Sequence, residues 1–491
     1  MSLIYQHARQ TNIWLGHRTP EVENSFGAIK EARKLFPSLS AFELKGTVES
    51  IQKGTGLDFS RILGHLSRTF DWIPVSALLQ RPWFRRKWVL QEVVMSENAV
   101  LLCGDDKLSW AILEDLMIYI RGFQLTIISE NADSNPNVGA GSGNINAMAT
   151  ARHRKGGQPV FDLLTRAREF QCTDPRDHLY ALLGMASDIT EGPNRITPDY
   201  NITSDQVYRQ LAAWCATVKG SLEFLSCGYE HILDERSFPS WVPDISKPNR
   251  ETILSPRMHY CASRQTAPRL MLSQDQSTLT LGGIVIDELE VLGQPFTYAS
   301  TRFPPVVAGT DRPGINYSTD HYLDQMAWSK QMMQECLAIA SDLPGRTMSS
   351  ERFEQFWRTM LWDLDGNMES PSAETGAIFK KLLLDLSTIF DDHDKEWGKS
   401  FIFTSQAIEP LFTAFYEDRR FSSTANGHLG CVPKRARLGD KLCIFHGGKT
   451  PYFIRPCENG QYQYIGICYL HGFMHGEALD LGIEIQDIAL V

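Results

Sequence analysis

Fourteen residues, RPWFRRKWVLQEVV (81–94), constrain this chain more than any other stretch. Two tryptophans, a phenylalanine, four basic residues and one carboxylate share about four helical turns. Pro82 suits the first turn of a helix, where its missing N–H costs nothing. Phe84, Trp88 and the pair Val89/Glu92 follow at three- and four-residue spacing, which predicts a helix over 83–95 with one aromatic face. Glu92 stands one turn beyond Trp88. A carboxylate beside an aromatic wall is either a structural charge, meeting Arg85 or Arg86, or the start of an active site; the first outcome is the commoner. Trp83 and Trp88 read more readily as core anchors than as stacking platforms.

The rest of the chain sets the bounds. With 491 residues it is too long for one core, and two to four domains are expected. A net charge of −10 speaks against general nucleic-acid binding, which needs a basic face. The basic cluster Arg81, Arg85, Arg86 and Lys87 is local: it can meet phosphates, but a solvated or ion-paired rim is commoner. The apolar runs break too early to cross a bilayer, and MSLIYQHARQ lacks the apolar core of a signal peptide. A cytoplasmic protein is expected, without a nucleic-acid or membrane partner. Its ten cysteines form no C-x-x-C pair, so they read as reduced thiols, most of them buried.

Along the chain, residues 1–10 read as the tail of a helix with Leu3, Ile4 and Ala8 as its buried stripe. Asn12–Leu15 and Ala99–Cys103 read as buried strands. Glu21–Leu35, Ala41–Ile51, Phe59–Phe70 and a segment capped by Ser109 and running to Phe123 read as helices. Helices alternating with short strands suggest α/β architecture over 1–128. Glycine, serine and asparagine dominate 129–157, which reads as a flexible linker and the best domain boundary. Residues 158–404 read as mainly helical. FPSWVPD (238–244) is expected to be extended and pinned by Trp241, and LTLGGIVI within 268–292 to be a hairpin or bulged strand. Residues 405–491 change character. Short apolar runs separated by Gly447-Gly448 and Glu458-Asn459-Gly460 predict a small antiparallel barrel or sheet.

Other clusters carry weaker signals. CTDPRD reads as a capped helix start, with Thr173 or Asp174 as cap and Pro175 at the first helical position. Asp199 and Asp244, each beside a proline, suit turns. His471, His475 and Glu477 have helical ligand spacing, but lack the H-E-x-x-H order, and their glycines oppose a stable helix; no metal site is expected. No Ser/His/Asp or Cys/His set can be assembled from sequence order.

Several of these segments together resemble the fungal heterokaryon-incompatibility (HET) domain proteins. SLIYQHARQTNIWLG resembles the family's helix-then-strand segment, and RPWFRRKWVLQEV followed by VLLCGDDKLSW its most recognisable block. CTDPRDHLYALLGMA, TPDYN and FPSWVPD resemble the region that follows, and RRFSSTANGHLGCVP, GDKLCIF, PYFIRP and YIGICYLHGFMHGEAL its terminal module. The family's usual opening strand and its "WID…CINQ" element are absent here, so the resemblance implies a chain that starts partway through the domain. It also implies an incomplete TIR-like, flavodoxin-like parallel sheet and a role in nonself recognition and cell death. Protein partners or self-association would mediate that role. Many TIR domains cleave NAD with a glutamate in a W-x-x-x-E helix, and Trp88 and Glu92 stand at that spacing. On that reading Glu92 is catalytic, Trp88 and Arg85 bind ligand, and NAD is the substrate, with no resident cofactor. An interaction protein, an NAD-cleaving enzyme and an inactive truncated paralogue all remain open on the sequence.

Overall fold

The computed structural model describes residues 2–34, 72–122, 136–154, 157–189, 195–227, 239–246, 259–296, 319–341, 348–365, 369–388 and 418–491. The helices expected at Ala41–Ile51 and Phe59–Phe70 lie outside them. The chain divides into two compact units, Met1–Ser204 and Asp205–Val491.

The first unit opens with α1 (Ser2–His7) and β1 (Thr11–Trp14). A 3-10 turn (Pro20–Val22) and α2 (Ser25–Lys34) follow, parted at Asn24, whose φ is +66°. Next come α3 (Ile73–Leu79), a 3-10 turn (Pro82–Arg85), α4 (Val89–Val94), β2 (Ala99–Cys103), β3 (Asp106–Ser109) and α5 (Trp110–Gly122). The unit ends with α6 (Pro136–His153), α7 (Val160–Arg166) and α8 (Asp177–Leu183). The sheet order is β1-β2-β3. β1 and β2 run parallel, from Thr11 opposite Ala99 to Trp14 opposite Leu102. β2 and β3 form an antiparallel hairpin closed at Cys103 and Asp106. The unit is thus α/β around a small sheet, with one parallel pair and an antiparallel edge strand absent from the sequence reading. The stripe expected on α1 is not buried: Leu3 and Ile4 are 64% and 68% exposed, while Tyr5, and Ala8 just beyond the helix, are half-buried.

The glycine-rich segment read as a linker is largely α6, which packs on α3, α4 and α5. One of its glycines, Gly141, serves close approach rather than freedom. A Cβ on Gly141 would lie 2.4 Å from the Leu79 carbonyl oxygen. Composition cannot tell a chain that needs no side chain for packing from one that needs none for flexibility. Residues 158–204 accordingly belong to the first unit, and the division falls at Ser204 rather than within 129–157.

The second unit begins with α9 (Ser204–Thr217) and α10 (Glu223–Ser226). Trp241 is fully buried, as expected, but in a turn closed by Val242 N–H on the Pro239 carbonyl (3.0 Å) rather than in extended chain. The strands β4 (Leu270–Leu272) and β5 (Leu279–Pro295) precede three helices: α11 (Thr319–Ala340), α12 (Ser350–Met360) and α13 (Ala373–Thr388). Seven strands complete the unit: β6 (Arg419–Thr424), β7 (Leu429–Pro433), β8 (Lys441–Phe445), β9 (Tyr452–Pro456), β10 (Tyr462–Ile467), β11 (Tyr469–Leu470) and β12 (Gln486–Leu490).

β5, β12, β10, β9 and β8 close into a ring, each paired with the next and β8 returning to β5. Ile284, Leu442, Ile444, Phe453 and Ile465 fill it. The Asn459-Gly460 signal is a β9–β10 hairpin turn with φ of +68° and +73°, the pair of positive angles such a turn requires. The barrel read from 405–491 therefore exists, but it is not built from those residues alone. β5 enters from far upstream; it forms the expected hairpin with β4, Leu270 opposite Leu281 and Leu272 opposite Leu279, and LTLGGIVI itself is a bulged strand whose register shifts between Val285 and Asp287 where it pairs with β8. Gly283 makes that pairing possible, since a Cβ there would sit 2.6 Å from the Ile444 carbonyl. Beyond the bulge β5 pairs with β6, then β6 with β7 and β7 with β11. The helices α11–α13 pack against these strands around Phe356, Trp357, Phe379, Phe421 and Tyr469.

Candidate functional site

The segment 81–94 is not one helix. Arg86 is extended (ψ 133°) between the 3-10 turn and α4. The cause is a competing strand-like contact: Gln171 N–H donates to the Arg85 carbonyl (2.6 Å), and Lys87 N–H donates to the Gln171 carbonyl (2.9 Å). Backbone groups spent there cannot close a helical turn.

The break redistributes the side chains. Trp83, not Trp88, meets Glu92: its indole Nε1 donates to Oε2 at 2.9 Å. Trp83 is itself buried, edge-on to Phe84 and Trp110, so one carboxylate oxygen is held by a fixed ring. Glu92 is half-buried, and the Tyr5 hydroxyl feels its charge, which adds to burial in raising the phenol above its ordinary value. The Trp88 indole instead donates to Asp177 Oδ2 (2.8 Å). The W-x-x-x-E spacing thus places Trp88 and Glu92 on one helix start but gives them different partners.

The basic cluster disperses as well. Arg81 donates to the His17 carbonyl (3.0 Å) and to Thr19 Oγ1 (3.3 Å). Arg85 is half-buried and Arg86 exposed. Lys87 is buried, with Nζ 3.3 Å from Nδ1 of buried His178. Burial lowers the Lys87 amine to about 8 and, with the Lys87 charge, lowers the His178 imidazole to about 3. Burial likewise raises the neighbouring Cys172 thiol to about 12, against the opposing charge of Lys87.

Asp177 is the residue that sequence reasoning treated only as part of a helix start. Its two oxygens join three segments: Oδ2 accepts from Trp88, and Oδ1 accepts from the Tyr200 hydroxyl at 2.6 Å. Arg176 lies over the Tyr200 ring (5.1 Å) and donates to the carbonyls of Tyr200 (2.6 Å) and Ile202 (2.8 Å). Asp174 holds Arg176 through two guanidinium contacts, at 2.9 and 2.7 Å, and accepts its backbone N–H at 3.0 Å. The Tyr180 hydroxyl donates to the Asp199 carbonyl (3.0 Å), and Asp199 makes the turn expected of it, accepting from Asn201 N–H (2.8 Å). Asp244 does the same with Ser246 N–H (3.0 Å). The signal for Lys87 was present: Phe84, Lys87 and Gln91 share the buried stripe at three- and four-residue spacing. No comparable signal linked Asp177 to Trp88.

The His471/His475/Glu477 segment is turn followed by a 3-10 helix at Glu477–Leu481. Among the described residues, no group of three or more His, Cys, Asp or Glu side chains is placed to hold a metal. No helix among them is long and apolar enough to cross a membrane.

An α/β unit carrying this interlock, with a closed β-barrel at the other end of the chain, defines the class. Residues 1–92 match the heterokaryon incompatibility protein (HET) family, and residues 409–491 match the Het-6 beta-barrel domain. The chain therefore resembles the heterokaryon-incompatibility proteins at both of its ends. It is similar to heterokaryon incompatibility protein 6, OR allele, of Neurospora crassa: 24% identical over 558 aligned positions, covering 99% of this chain and 79% of that protein. No solved structure matches it.

Proposed function

We propose that this chain is a cytoplasmic signalling protein of fungal heterokaryon incompatibility. It promotes cell death through protein contacts, by self-association or by docking a recognition partner. One observation carries the reading: likeness to a heterokaryon incompatibility protein runs through 99% of the chain, with a family segment at each end. The parallel β1–β2 pair, with α4 packed against β1, supports a TIR-like reading of the first unit. The test is inducible expression in a filamentous fungus. Loss of viability, weakened by Trp88→Ala, is the expected result; normal growth with full-length protein accumulating overturns the reading.

A second reading is favoured by the fixed Glu92 oxygen. A carboxylate oriented by a buried indole N–H suits stabilisation of an oxocarbenium-like state as the nicotinamide–ribose bond of NAD breaks, with Trp88 and Arg85 as neighbouring ligand contacts. Purified protein would release nicotinamide from NAD, and Glu92→Gln would not. No release from either protein removes the enzymatic reading and leaves the interaction reading in place.

A further inference from the structure

A cleft of about 540 Å³ opens in the second unit, within the size range of small-molecule sites. Three separate elements supply its polar wall: α12 gives Arg352 and Gln355, the β6–β7 turn gives Asn426 and His428, and the segment after β11 gives His471. Arg352 is fixed there by Nε–H on the Ala340 carbonyl (2.9 Å) and by Nη1–H on the Gly427 carbonyl (2.8 Å) and Gln355 Oε1 (3.0 Å). His428 lies edge-on to Phe473, 4.7 Å between ring centroids. His471 Nδ1 is 3.1 Å from the Tyr469 hydroxyl. Glu477 is the one carboxylate in the lining among the described residues, and its Oε2 is turned to the His475 N–H (2.8 Å). Phe473, Leu429 and Leu481 form an apolar side.

We infer that this cleft binds a small phosphate-bearing molecule, its oxyanion gripped by Arg352, His428 and His471 and its body lying against Phe473 and Leu481. Donors arriving from three elements suit a tetrahedral oxyanion better than a planar carboxylate, and a fixed guanidinium supplies the charge. Amide groups of Gln355 and Asn426 complete the polar wall.

Protons enter with the ligand. Burial holds both imidazoles below their ordinary value. The charges facing His428 are Asp287 and Arg352; those facing His471 are Asp363, Glu354 and Glu477 against Arg358. A bound anion adds negative charge to both sets and so draws protons onto the rings. Affinity therefore rises as pH falls below the ordinary imidazole value of 6.5, toward the lowered values of the unliganded rings.

Titration calorimetry of the full chain with inorganic pyrophosphate tests this, with citrate as the carboxylate comparison. Saturable pyrophosphate binding, stronger at lower pH and stronger than citrate, is expected. His428→Gln and His471→Gln should each weaken it roughly tenfold, as losing one charge-assisted contact does. Gln355→Glu is nearly isosteric and places a carboxylate beside Arg352, so it should abolish binding while the unfolding temperature stays unchanged. The proposal is overturned by no saturable binding, by binding indifferent to all three substitutions, or by a preference for citrate.

Discussion

The Trp88 indole and the Asp177 carboxylate, 89 residues apart in the chain, are joined by a 2.8 Å hydrogen bond. The bond fastens the tryptophan-rich segment to α8, and through Asp177 Oδ1 also to Tyr200. Trp88→Phe keeps the ring and deletes the donor. Because both groups are half-buried, the expected loss is at the low end for a charge-assisted bond, about 1.5 kcal/mol in urea denaturation. Asp177→Asn removes the charge and leaves one oxygen for the two donors, so it should cost a similar amount, and the double variant less than the sum of the two, since both changes act on the same bond.

Lys87 should work against stability at neutral pH. Its folded value, about 8, lies below the free-lysine value of 10.5, so the unfolded chain holds more protons between those limits. Stability therefore rises as pH rises from about 8 to 10.5, and the penalty is full below about 8. His178 acts in the same direction lower down: with a folded value of about 3 against 6.5, it costs stability as pH falls from 6.5 toward 3. Lys87→Met, of similar volume, should stabilise by on the order of 2–3 kcal/mol at neutral pH and flatten the alkaline slope. A denaturation series across pH measures both effects; an unstabilised Lys87→Met variant with the slope intact would refute the account.

Gly141 reverses an ordinary rule. Glycine to alanine within a helix normally stabilises by roughly 0.5–1 kcal/mol. Here the added Cβ would meet the Leu79 carbonyl at 2.4 Å, a backbone atom that cannot step aside as a side-chain tip can. Gly141→Ala should therefore lower the unfolding temperature, with a loss of about 1–3 kcal/mol typical of overpacking. Gly143, with nothing within 4 Å of its Cβ position, is the matched control and should follow the ordinary rule.

The same residues show how far the sequence could be read. Strand signals were legible where burial is local and periodic: Ala99–Cys103 and the Asn459-Gly460 hairpin sit where apolar pattern and turn chemistry put them. Legibility failed where a distant backbone decides. Nothing within 81–94 reveals that Gln171 will take the hydrogen bonds of Arg85 and Lys87 and end the helix there. At the candidate site, the hydrogen-bond partner of Glu92 was not legible. The four-residue spacing pointed to Trp88, while the break in the helix brought Trp83 to Glu92. Gly141 of α6 was misread because its purpose lies in Leu79, on another helix.

The barrel supplies the last prediction. The Het-6 beta-barrel match covers residues 409–491, yet the ring closes only through β5, at Leu279–Pro295. β5 pairs with β12 through Leu279–Gly283, with β8 through Gly283–Glu288 and with β6 through Leu289–Pro295. Without it, β8, β12 and β6 each lose a ladder, and the apolar edges of an opened sheet favour pairing between copies. A fragment of residues 409–491 should therefore give poorly dispersed amide signals in two-dimensional NMR, or aggregate. Joining residues 259–296 to its N-terminus through a flexible linker should restore dispersed signals and cooperative unfolding. In that restored fragment Gly283→Val should collapse the dispersion again, because its side chain would enter the space that the Ile444 carbonyl occupies. A well-folded 409–491 fragment would mean that the ring can close without β5.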